Sequence, residues 1–181
     1  SVLRGLRALE QWIEVNGPDI EAKHGYMPRV RKLCMDVDSA TTTVFGYTRS
    51  EFDEYCIEKR IAREFTGEGT PEKNGVIERY WRALDEGASA NLFSSGLHER
   101  FYYDAVGAFV VASNHLPSGR NKLGNGEAPA KTLGLRNHAV VVKRLRPFGA
   151  PAWREVRTRK SKQRRRGTRC IFLGYGVDTK G

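Results

Sequence analysis

The sequence predicts an α/β chain, with a helix-and-strand core over residues 1–135 followed by a small basic β-module over 136–181. Three observations predict it. Apolar residues recur at spacings of three and four in several long stretches, short β-type runs lie between and after them, and positive charge gathers near one end. A chain of 181 residues can bury one ordinary core, or one core plus a small appended module. With 39% hydrophobic and 29% charged residues it reads as globular rather than disordered.

In the first stretch Val2, Leu3, Leu6, Leu9, Trp12 and Ile13 describe an amphipathic helix ending at Asn16-Gly17-Pro18. Val30 to Met35 reads as a short buried strand that delivers Asp36 at its C-terminal end, where open α/β sheets place their ligands. Val37 to Thr48 has no helical period and reads as a loop; Ser50 then caps a helix carrying Phe52, Tyr55, Cys56 and Ile61. A strand over Arg63 to Thr66 follows.

Thr70-Pro71 has the form of an N-cap followed by proline at the first helical position, so a long helix starts there. Its inward stripe is Ile77, Tyr80 or Trp81, Leu84, Ala88 and Leu92, and Ser95-Gly96 closes it. A second helix spans Leu97 to His115, with Phe101, Ala105, Ala108, Phe109 and Ala112 inward, and stops at Pro117. Ser118 to His138 is mostly loop, with one helical turn near Ala128 to Leu133, and the module boundary falls within 130–140. Beyond Ala139 the β-type runs are Val140 to Val142, Ala152 to Val156 and Cys170 to Leu173.

Between Lys143 and Cys170 stand twelve Lys or Arg against a single acid, Glu155, so this segment exceeds the net +10 of the whole chain. Such a block suits a polyanion, because neutralised phosphates release counterions. Lys160, Lys162, Arg164, Arg165 and Arg166 are open to three readings: phosphate contacts, a nuclear-import signal, or a solvated loop. Trp153 beside Arg154 reads as a barrel-core tryptophan, with base stacking as the other reading.

Several function classes are disfavoured. Cys34, Cys56 and Cys170 have no zinc spacing and read as core thiols. His24, His98, His115 and His138 stand alone with no nucleophile at a recognisable spacing, which argues against hydrolase chemistry. Gly67-Glu68-Gly69 and Gly174-Tyr175-Gly176 lack the context of a phosphate loop. No apolar run approaches the roughly 20 residues of a membrane helix, and no secretion signal opens the chain, so the expectation is a soluble, intracellular protein without a membrane partner.

The order of elements sets two carboxylates, Asp36 and Glu78, where a sheet edge and a helix can converge. Mg²⁺ prefers such hard oxygens, and paired acids of this kind serve phosphoryl transfer. Residue types alone leave both as ordinary surface charges.

The run Thr70-Pro71-Glu72-Lys73-Asn74-Gly75-Val76-Ile77-Glu78-Arg79 resembles the T-P-x-x-N-G-x-x-E-R signature of copia-type retrotransposon integrases. Phe52, Tyr55-Cys56, Ile61, Arg63-Glu64 and Phe65-Thr66 are similar to that family's spacing before the signature, and Asn114-His115-Leu116-Pro117 to its N-R-L-P turn. Leu145-Arg146-Pro147-Phe148-Gly149 and Cys170-Ile171-Phe172-Leu173-Gly174-Tyr175 resemble its later motifs. The resemblance covers essentially the whole chain. It implies a partial RNase H-like (integrase core) fold followed by an SH3-like β-barrel module truncated at its C-terminus.

It further implies metal-dependent strand transfer of DNA, with Mg²⁺ or Mn²⁺ held by Asp36 and Glu78. Glu78 matches the third acid, and Asn74 a polar residue one turn earlier. Asn74, Glu78 and Arg82 share one helical face by their i, i+4, i+8 spacing, and with Lys73 they are candidate nucleic-acid contacts. The interval of 42 residues between Asp36 and Glu78 is longer than the family's, whose spacing would set the second acid at Thr42. The excess reads as an insertion after Asp36, with Asp38 as the other candidate. The first acid and a zinc-binding segment are expected upstream of Ser1. The resemblance thus leaves two functions open: an integrase in its complete form, or a degenerate nucleic-acid-binding remnant. For the complete form it implies DNA as partner, homo-oligomers, and nuclear and cytoplasmic (virus-like particle) localisation.

Overall fold

The computed structural model describes residues 2–36, 51–66, 75–118, 125–155 and 167–175; for Asp36, Phe65 and Thr66 it describes the backbone. The described residues form a mixed α/β chain, mostly helical, with two two-stranded sheets. By internal packing the chain divides into two compact units, Ser1–Ile77 with Leu133–Leu135, and Glu78–Thr132 with Arg136–Gly181. This division falls inside a helix.

In the first unit, α1 (Val2–His24) buries Leu3, Leu6, Gly17 and Ile20. The helix runs through Pro18 instead of ending at Asn16-Gly17-Pro18. An interior proline forgoes one backbone bond and costs about 3 kcal/mol. Burying Ile20 in the added turns recovers about 1.5–3 kcal/mol. Gly17 admits Met27, whose Cε would stand 2.7 Å from any Cβ there. The periodicity of the first turns carries no information about either contact.

β1 (Lys32–Asp36) pairs in parallel with β2 (Ala62–Thr66), in a register from Lys32 opposite Ala62 to Asp36 opposite Thr66. Between them lies α2 (Glu51–Glu58), as its apolar spacing requires. The Ser50 cap lies outside the described residues. After α2, Arg60 takes φ 54° and Ile61 N–H donates to the Cys56 carbonyl at 2.8 Å, a left-handed helix stop that turns Ile61 into the core. Ile61 therefore ends the helix rather than extending it. Leu6, Cys56 and Ile61 form the buried cluster, with Val30, Leu33, Phe52 and Tyr55 packed around it. Arg7 pairs with Glu51 at 2.8 Å, and the Tyr55 hydroxyl donates to Glu10, tying α1 to α2. The strand expected to be buried is only half covered: Leu33 and Met35 are partly buried, while Lys32 and Cys34 face solvent.

The second unit is built on α3 (Gly75–Ser95) and α4 (Tyr102–His115), the latter preceded by a single 3-10 turn over Glu99–Phe101. Residues 67–74, with the Thr70-Pro71 start, lie outside the described residues. Gly96 at φ 65° terminates α3 as expected. Ala88, Ala105, Ala108 and Phe148 make the core, lined by Leu92, Leu97, Phe101 and Leu173. The predicted α3 stripe is covered only in its later part: Leu84 and Ala88 are buried, whereas Ile77, Tyr80 and Trp81 are exposed.

α5 (Pro129–Leu133) is the expected helical turn. α6 (His138–Arg144) corrects the strand expected at Val140 to Val142. Valine's β-propensity is realised only on a pleated surface with paired neighbours, and among the described residues no strand pairs with this run. Lys143 and Arg144 in its last turn suit a helix C-terminus. β3 (Pro151–Glu155) and β4 (Gly167–Ile171) form an antiparallel pair, as the last two β-type runs predict.

Candidate functional site

The parallel pair sets Asp36 at the C-terminal end of β1, opposite Thr66. Parallel strands end their hydrogen-bonded ladder there, and side chains at that edge become available to ligands. At the other end of β1 Lys32 pairs with Glu64, whose carboxylate holds the ammonium pKa above its usual value.

Glu78 lies in the first turn of α3 and is exposed, at the helix end whose dipole favours an anion. Arg82 follows one turn later, also exposed, and both lie off the Leu84–Ala88 stripe. This is the face expected from the spacing; Lys73 and Asn74 lie outside the described residues. Asp36 belongs to the first compact unit and Glu78 to the second. Among the described residues no group of three or more His, Cys, Asp or Glu side chains converges as a metal site. Two acids with hard oxygens suit Mg²⁺ in donor type, but no step through a metal follows from them.

In the basic region, Lys160, Lys162, Arg164, Arg165 and Arg166 fall outside the described residues. The strands that flank them are described. Register sets Trp153 opposite Arg169 and Arg154 opposite Thr168. Trp153 is 70% exposed, so it is not the barrel-core tryptophan expected. A two-stranded pair has no second layer of its own, and nothing among the described residues covers this ring.

Two further expectations are corrected. Cys56 is buried, and burial pushes its thiol pKa up, but Cys34 and Cys170 are exposed. They sit on strands whose outward faces no element among the described residues covers. Likewise His115 and His138 do not stand alone. Their rings are nearly parallel, at 8°, with centroids 5.4 Å apart and Nδ1 atoms 3.2 Å apart, so they meet through their Nδ1 edges. One Nδ1 must carry a proton and the other must not. Burial first, and then the His138 charge, lower the His115 pKa below its ordinary value. The two positions are 23 residues apart, and no local spacing signals their meeting; only the docking of α6 near the end of α4 brings them together.

Among the described residues no helix is long and apolar enough to cross a membrane. No protein-family profile matches the chain, and no solved structure matches it. The sequence is similar to the Pol polyprotein of a transposon. The relative is the retrovirus-related Pol polyprotein from transposon TNT 1-94 of Nicotiana tabacum, 33% identical over 136 residues. That match covers 75% of this chain and 10% of the relative, so the chain spans about a tenth of the protein it resembles.

Proposed function

We propose that the chain is a segment of the integrase region of a copia-type retrotransposon polyprotein: part of an RNase H-like core followed by an SH3-like module. In its complete form it joins element DNA to target DNA by 3′-hydroxyl attack on a phosphodiester. The observation that carries this reading is the run Thr70 to Arg79, whose Glu78 stands exposed on the first turn of α3, in a chain similar to a Pol polyprotein. Asp36 at the end of a parallel strand supports it. Asp36 and Glu78 are the proposed ligands of Mg²⁺ or Mn²⁺, which when bound activates the attacking oxygen and stabilises the leaving one. Arg82, Lys73 and Asn74 contact DNA beside Glu78, and Lys160, Lys162 and Arg164 to Arg166 contact phosphates. The complete protein acts as a homo-oligomer, in the nucleus and in cytoplasmic particles.

The long interval between Asp36 and Glu78 favours a second reading, a remnant that binds DNA without catalysis. Strand transfer separates the two. A Pol segment extended upstream of Ser1 should join DNA in a Mg²⁺-dependent manner and lose this activity on Glu78→Gln. Equal activity in both proteins removes Glu78 from the site, and none in either leaves the binding remnant. Neutralising Arg164, Arg165 and Arg166 should lower the slope of log affinity against log salt by about three.

A further inference from the structure

The β3–β4 pair presents a face to which the proposed metal site assigns no role. Side chains alternate along a strand, so Pro151, Trp153 and Glu155 share one face with their cross-strand partners Ile171, Arg169 and Gly167. Trp153 is 70% exposed and Ile171 42% exposed. Tryptophan is the side chain with the most apolar area to bury, and here it is left open.

The ring nevertheless has a neighbour across the strand pair. Gly167 offers no side chain, and a Cβ placed there would stand 3.6 Å from Trp153 Cε3 and 3.9 Å from its Cβ. One part of the indole thus rests against the backbone of the facing strand. Arg169 lies directly opposite Trp153, and it also lines a shallow hollow of about 530 Å³ with Gly149, Pro151, Cys170 and Ile171. Residues 156–166, between the two strands in sequence, carry seven Lys or Arg and no acid, a charge that suits a polyanionic partner.

Lys and Arg suffice to hold the phosphates of a continuous duplex; an open indole adds nothing there, because paired bases hide their faces in the stack. An unpaired base exposes a π-face, and aromatic–base stacking tolerates any sequence. A planar guanidinium next to the indole can cover the base or hold its phosphate. We propose that Trp153 and Arg169 form a stacking platform for an unpaired nucleobase, so that the β3–β4 face takes single-stranded nucleic acid, or a frayed DNA end, in preference to continuous duplex. The inference rests on the DNA-binding half of the reading above.

The test uses the full chain with Trp12→Phe and Trp81→Phe, which leaves Trp153 as its sole indole. It is titrated with a single strand of about 12 nucleotides, with the blunt duplex of the same sequence, and with anionic phosphatidylserine vesicles. The single strand should quench the indole emission. Trp153→Ala should weaken single-strand binding by about 5- to 150-fold, Trp153→Phe should retain most of it, and duplex affinity should stay unchanged. Quenching in the parent reports stacking even where Trp153→Ala perturbs the strand pair. Single-strand binding without quenching, and insensitive to Trp153→Ala while neutralising Arg164 to Arg166 abolishes it, overturns the platform and leaves the DNA reading intact. Binding to neither nucleic acid at low salt overturns both. Quenching by vesicles alone replaces the nucleobase with a membrane surface and overturns the proposal.

Discussion

The two compact units build their cores from opposite materials. The first fills its interior with Leu6, Cys56 and Ile61, side chains whose volume holds α1 against α2 and the parallel strands. The second brings α3 and α4 together over Ala88, Ala105 and Ala108, with Gly87 beneath the Phe109 ring and the volume supplied from outside by Phe148. A core made of volume fails by truncation. A core made of close approach fails by enlargement. The same methyl group is therefore a support in one unit and an obstruction in the other.

Mutation can break this contrast directly. Leu6→Ala, at a residue 4% exposed, should cost about 2–5 kcal/mol in chemical denaturation, seen first in amide exchange of α1 and β1. A cost under about 1 kcal/mol would mean that the first unit does not rest on that side chain. Gly87→Ala is the opposite case. A Cβ at Gly87 would lie 2.3 Å from the Phe109 ring, a rigid aromatic rather than a flexible chain end. Overpacking costs about 1–3 kcal/mol, while alanine's better helix propensity returns about 1, so a net loss of up to about 2 kcal/mol is expected. Adding Phe109→Ala should remove the penalty of the added methyl, and strict additivity of the two changes would show that the ring is not what excludes it.

The smallest effect is one of pH and concerns the second unit alone. His115 ends α4, His138 opens α6, and His138 is the titratable neighbour whose charge acts on it. Because the folded-state pKa of His115 is lowered, the unfolded chain takes up the proton more readily. The stabilisation is complete above the ordinary histidine value of about 6.5 and is lost as pH falls below it. Protection factors of the α6 amides, taken relative to the intrinsic exchange rate at each pH, should be lower at about pH 5 than at about pH 7.5. An imidazole NMR titration of His115 with its midpoint at or above about 6.5 would contradict the lowered pKa.

Where burial is decided by neighbours in sequence, the elements were legible. The helices α2, α3 and α4, the strand β2 and the last two strands follow from periodicity and from the stops at Gly96 and Pro117. Three features were not. α1 continues through Pro18 because Ile20 finds a core, Val140 to Val142 turn helical because no strand among the described residues lies beside them, and His115 meets His138 across 23 residues of chain. Each depends on a partner distant in sequence. Of the candidate site, the sequence supplied Asp36, Glu78 and Arg82 with their elements and the shared face of the last two. It misassigned Trp153, Cys34 and Cys170, which read as core by residue type but lie on strands that no second layer among the described residues covers.

By itself, then, the sequence determined the order of elements as far as α5, the positive charge between Lys143 and Cys170, and the run Thr70 to Arg79, because propensity, charge and motif are local properties. Tertiary structure alone decided which apolar residues are covered. Exposure depends on what packs above a side chain, and that is how an indole expected inside the protein comes to lie open beside Arg169.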